Sequence, residues 1–116
     1  MAKTILALYR QGNTNSPRMD NVRPNKDVAT YKNEKGEIWV KVNKTTGESP
    51  GGISTFATEG VGKNWWRLDP DTEIPPELEL VNDHDDHWLW QPSYTMPLEQ
   101  YQTALRLVAA SFYKVS

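Results

Sequence analysis

Leu98, Tyr101, Leu105, Val108 and Phe112 recur at spacings of three, four, three and four. No other stretch of the 116 residues carries a sustained helical period. The repeat predicts one amphipathic helix with an apolar stripe facing a core, and Pro97 suits its first turn. The chain before it must therefore build its core from strands and turns. One helix packed on a sheet gives an α+β fold, and the length fits a single domain over 1–116 with a modest core.

Residues 4–10 read as a buried strand closed by Gly12. Residues 11–33 are polar and rich in Asn, with Pro17 and Pro24, and read as a long loop with at most a turn of helix. Residues 37–43 alternate at period two, with Ile38, Val40 and Val42 on one face. Residues 45–52 read as a second loop, and Ile53–Ala57 as a short strand or helix entry. Trp65–Leu68 reads as another strand, in which one of the adjacent tryptophans should meet water or a partner. Asp69-Pro70-Asp71 and Ile74-Pro75-Pro76-Glu77 are rigid turns excluded from a sheet interior. Leu78–Asn82 and Trp88–Tyr94 read as strands joined by a polar turn over 82–87.

The composition narrows the possible partners. A net charge of -2 argues against nucleic acid or an anionic membrane as a charge-driven partner. With no cysteine, disulfides, thiolate metal sites and cysteine nucleophiles are excluded. No run is long and apolar enough to span a bilayer. The apolar run at Ile5–Tyr9 ends too early for a secretory leader, so the expectation is no cleavable signal peptide.

Two pieces point to chemistry. Ile5-Leu6-Ala7-Leu8-Tyr9-Arg10 is a strand ending in arginine, and Gly51-Gly52-Ile53-Ser54-Thr55-Phe56 is a glycine turn leading into a Ser-Thr-aromatic strand. Arginine matches phosphate oxygens, glycines let backbone approach a ligand, and an aromatic can stack on a flat ring. Together they describe a pocket for a phosphate-bearing ligand with a planar ring.

The run from Asp71 to Leu80 containing Ile74-Pro75-Pro76, followed by Tyr94-Thr95-Met96-Pro97 before a helix, resembles the small type VI secretion effector toxins of ADP-ribosyltransferase-like fold. Leu6–Arg10, Val22-Arg23-Pro24 and Gly51–Phe56 match that family's opening strand and middle in the same order. Where the bacterial toxins carry a histidine before the Tyr-Thr, this chain has Ser93, and its loop between Arg10 and Arg23 is shorter. The resemblance implies an NAD-dependent intracellular cytotoxin, with NAD as substrate, an unidentified intracellular target and a cognate immunity (antitoxin) protein. It also implies action in the cytoplasm of the producing or target cell after contact-dependent secretion.

Within that resemblance the site residues have expected roles. Arg10, Ser54 and Gln91 are the catalytic candidates, and Tyr9, Arg23, Thr55, Phe56 and Tyr94 the candidates for binding NAD. Arg10 would hold phosphate, and Ser54 would hydrogen-bond the nicotinamide ribose. Thr55 alternates to the other face of the strand, as support. Arg23 is a second phosphate candidate and equally a solvated loop arginine. Transfer passes through an oxocarbenium-like state, and many ADP-ribosyltransferases place a late glutamate at the ribose. The matching strand here has Gln91, which can hydrogen-bond a hydroxyl but cannot act as a general base.

Asp83, His84, Asp85, Asp86 and His87 are of metal-ligating type. They fall in one polar turn and read as a solvated hairpin tip, so no metal is predicted. Two alternatives to a transferase stay open: an NAD glycohydrolase with water as acceptor, and a catalytically silent binding module acting through a host protein.

Overall fold

A computed structural model describes residues 2–42 and 51–116. The strands are β1 (Leu8–Gln11), β2 (Thr30–Lys32), β3 (Ile38–Val40), β4 (Ile53–Phe56), β5 (Trp65–Leu68), β6 (Leu78–His84), β7 (His87–Pro92), β8 (Met96–Pro97) and β9 (Tyr113–Lys114). The helix α1 spans Leu98–Ala109. Six strands form one antiparallel sheet in the order β6-β7-β4-β1-β5-β9, and β2-β3-β8 form a second. This is the α+β arrangement expected from the one helical repeat.

α1 buries Tyr101, Ala104, Leu105 and Val108, and Phe112 joins the same core just beyond its end. Glu99 in the first turn and Arg106 in the last complement the helix dipole. The stripe packs on β3, β8 and β6. Burying each large apolar side chain contributes roughly 1.5–3 kcal/mol, so this face outweighs the absence of a side-chain N-cap at Pro97. A Leu105→Ala change would open a cavity costing about 2–5 kcal/mol.

Alternation along the large sheet sorts its side chains into two faces. Leu8, Ile53, Thr55, Leu68, Leu78 and Trp90 point to the core and are buried. Tyr9, Ser54, Phe56, Arg67, His87 and Gln91 share the opposite face and are half-buried. A buried chain of hydrogen bonds fixes the inner face. Trp90 Nε1 donates to Thr55 Oγ1 at 3.1 Å, Thr55 Oγ1 donates to the Trp88 carbonyl at 3.1 Å, and the Tyr101 hydroxyl donates to the Trp90 carbonyl at 2.6 Å. Burial raises the Tyr101 phenol well above its ordinary range.

Several boundaries differ from the sequence reading. The first strand begins at Leu8, because Thr4 turns inward: its N–H donates to the Thr72 carbonyl, and its hydroxyl donates to Asp69 O at 3.1 Å. Ile5 is consequently 81% exposed. Within 11–33 lies the short strand β2, which only its pairing with β3 creates. β6 runs on to His84, so the turn narrows to Asp85 and Asp86. β7 ends at Pro92, two residues short of Tyr94, at a position where a missing N–H is tolerated. Trp65 and Trp66 do face opposite sides, but both are largely covered: their Nε1 atoms donate to the carbonyls of Val61 and Asn13. The end of the 37–43 segment and most of the 45–52 loop lie outside the described residues. Among the described residues no helix is long and apolar enough to cross a membrane.

Candidate functional site

The glycine turn does what close backbone approach requires. Gly52 has φ +146°, and a Cβ there would lie 2.3 Å from the Trp90 carbonyl oxygen. Only glycine lets β4 enter the sheet this tightly against β7. Entry at that point sends Thr55 inward and Ser54 outward. Thr55 is fully buried with its hydroxyl engaged on both sides, so it supports the sheet beneath Ser54.

Ser54 Oγ lies 2.9 Å from His87 Nε2. His87 Nδ1 lies 3.1 Å from Asp83 Oδ2, and His84 Nδ1 lies 2.8 Å from the same oxygen. An ionised carboxylate only accepts, so each ring meets Asp83 with an Nδ1–H donor, and in the tautomer that carries its proton on Nδ1 the His87 Nε2 is an acceptor. In that tautomer the Ser54 hydroxyl donates to His87 Nε2. These contacts hold the Asp83 carboxyl below the usual carboxylate range, through hydrogen bonds from His84 and then His87.

A β-bulge brings His84 into this cluster. The register shifts between Asn82, opposite Trp88, and His84, opposite His87. The extra residue puts both Asp83 and His84 on the face that His87 occupies. The hairpin tip is pinned to β4 by Ala57 N–H to the Asp86 carbonyl and by Thr58 Oγ1 to Asp86 Oδ2, both at 2.8 Å. The side chains of His87 and Asp83 are 19% and 17% exposed, whereas His84 is 66% exposed. The turn that looked like a solvated tip thus supplies two half-buried groups beside Ser54.

Aromatic and cationic groups flank the serine on the same face. The Phe56 ring lies 5.3 Å from the His87 ring and 6.4 Å from Trp65. On β1 and β5, Arg67 sits 5.8 Å over the Tyr9 ring and donates from Nη1 to the Tyr9 hydroxyl at 3.1 Å. Arg67 Nε also pairs with Asp69 at 3.1 Å, and Tyr113 donates to that carboxylate at 2.8 Å. Gln91 lies two residues along β7 from Leu89, the partner of Ser54, and so faces the same way.

Arg10 is placed differently. Its side chain points to the inner side, where Nε donates to Pro17 O at 2.9 Å, Nη1 to Ser54 O at 2.7 Å and Nη2 to Arg18 O at 3.1 Å. The guanidinium braces the 11–18 segment against the backbone of β4. Burial pushes its pKa down, with Asp27 opposing. Arg10 and the Ser54 hydroxyl therefore project to opposite faces. Arg23 lies outside this face, in a bidentate pair with Asp27 at 2.9 and 3.1 Å. Tyr94 lies beyond β7, exposed, with its hydroxyl accepting from Gln100 at 3.0 Å.

Sequence reasoning named Tyr9, Ser54, Phe56 and Gln91, which share the outer face. It missed Arg67 and the link from His87 to Ser54. Alternation puts Arg67 on Tyr9's face and His87 on Ser54's face once the registers are known, whereas the bulge between Asn82 and His84 leaves no such pattern for His84. Open cavities of about 670 Å³ beside the Pro75-Pro76 turn and about 300 Å³ beside Ile74 lie away from this face. Hydrogen-bonding chemistry, rather than cavity size, singles out the Ser54 face.

The model of the Tse2 ADP-ribosyltransferase toxin family matches residues 6–115. The chain belongs to that family. No curated protein and no solved structure matches the chain significantly. Membership makes the chain a toxin of ADP-ribosyltransferase type.

Proposed function

We propose that this toxin cleaves the bond between nicotinamide and ribose in NAD at the outer face around Ser54, and transfers ADP-ribose to an intracellular acceptor. The observation that carries the reading is the grouping of Ser54, Phe56, Tyr9, Gln91 and Arg67 on four adjacent strands of one face. Those strands span roughly 14 Å at ~4.8 Å per step, room to lay a ribose and a diphosphate side by side. The residues fit the substrate in kind. Ser54 and Gln91 can hydrogen-bond ribose hydroxyls, Phe56 can meet the nicotinamide ring, and Arg67 retains N–H donors toward phosphate. Arg10 holds the backbone of this platform from beneath.

A second reading, NAD glycohydrolysis, is favoured by one observation: β7 carries Gln91 where a glutamate would activate a macromolecular acceptor. The family is consistent with an immunity protein as partner, and the place of action proposed here is the cytoplasm. Expression of wild type and Ser54→Ala from a tight promoter tests the toxin reading. Growth arrest by wild type, relieved by a folded Ser54→Ala, supports it; equal arrest by both places the toxicity elsewhere.

A further inference from the structure

We infer that His87, held by Asp83, is the proton acceptor for the reaction at Ser54, in the place that Gln91 cannot fill. The inference rests on the NAD reading above. The hydroxyl, imidazole and carboxylate lie in series at 2.9 and 3.1 Å. Asp83 fixes the tautomer by accepting from Nδ1, which leaves Nε2 unprotonated and directed at Ser54 Oγ. Gln91 offers only an amide.

The step balances without any further reactant. The ribose C1′–N bond breaks and its electron pair neutralises the pyridinium nitrogen of the departing nicotinamide. A hydroxyl of the acceptor, or water, forms the new C1′–O bond. Its proton passes to Ser54 Oγ as the Ser54 proton passes to His87 Nε2. The resulting imidazolium is stabilised by the Asp83 carboxylate, and the proton then leaves to solvent. Asp83 acts through His87 and is a positioning residue. His84 shares the Asp83 oxygen but is largely exposed and has no contact with Ser54 among the described residues.

The test is nicotinamide release from NAD by purified wild type, His87→Gln, Asp83→Asn and His87→Ala, with NAD affinity measured in parallel. Glutamine keeps a hydrogen-bonding group near Ser54 but takes no proton. The expected result is a kcat about 10²–10⁴-fold lower for His87→Gln with KM for NAD unchanged, partial recovery of His87→Ala by added imidazole, and wild-type turnover indifferent to EDTA. Undiminished turnover in His87→Gln overturns the proposal alone. So does a joint loss of NAD affinity and turnover, or inactivation of wild type by EDTA, which would make Asp83 a metal ligand. Should His87→Gln fail to fold, Asp83→Asn decides: turnover at the wild-type rate overturns the proposal. Wild type that leaves NAD intact overturns the underlying reading and the proposal together.

Discussion

Arg10 Nη1 donates to the carbonyl of Ser54 at 2.7 Å while the Ser54 hydroxyl points the other way, to His87 at 2.9 Å. One residue thus ties the inner scaffold to the outer face. The arginine holds the backbone and the histidine holds the side chain. Arg10→Ala would leave the carbonyls of Pro17, Ser54 and Arg18 without this donor. The expected loss is about 3 kcal/mol of stability, measured by urea unfolding. Arg10→Lys should recover only part of it, because an ammonium cannot reach three carbonyls in a planar fork.

Gly52→Ala places a methyl group 2.3 Å from the Trp90 carbonyl and at φ +146°. Neither the backbone oxygen nor the dihedral can yield cheaply. The expected outcome is a protein destabilised by ~3 kcal/mol or more that no longer pairs β4 with β7. Hydrogen exchange at the amides of β4 and β7 would read the loss directly.

Tyr101→Phe removes one hydroxyl from the core and leaves the Trp90 carbonyl without that donor. Stability should fall by about 1–2 kcal/mol. NAD turnover by the folded fraction should stay at the wild-type level, since Tyr101 lies beneath the sheet. A thermal melt and a nicotinamide-release assay on the same preparation separate the two effects.

Asp27 gives a pH prediction. Burial alone would raise its pKa, but the hydrogen bonds from Arg23 and the charges of Arg23 and Arg10 outweigh that and lower it. A carboxylate with a depressed folded pKa adds stability that is fully present above its unfolded value, ~3.9. That stability is lost as pH falls through the folded pKa. Wild type should therefore exceed Asp27→Asn in stability at neutral pH, and the gap should close as the pH drops below about 4. Parallel urea melts from pH 7 to pH 2.5 check the direction.

The sequence made some of this architecture legible and hid the rest for identifiable reasons. The period at Leu98, Tyr101, Leu105 and Val108 sets α1, because a buried stripe is a property of one contiguous segment. Ser54 and Thr55 divide between two faces by simple alternation. The contact of His84 with Asp83 is hidden because a bulge breaks alternation and these two consecutive residues land on one side, and the link from His87 to Ser54 depends on the pairing of β4 with β7, which the sequence alone does not give. β2 was hidden because three residues become a strand only through β3. Arg10 at a strand end reads as a free ligand for phosphate, since its carbonyl partners at 17, 18 and 54 arrive by tertiary folding.

NAD chemistry at the Ser54 face can be read in a single labelling assay. Purified wild type and Ser54→Ala are incubated with NAD labelled in the adenylate moiety, in the presence of cell extract. Wild type should release nicotinamide and carry label to an acceptor, and a folded Ser54→Ala should do neither. Label left as free ADP-ribose would make the enzyme a glycohydrolase at the same site. Intact NAD with wild type, or equal turnover by Ser54→Ala, would rule out NAD chemistry at this face.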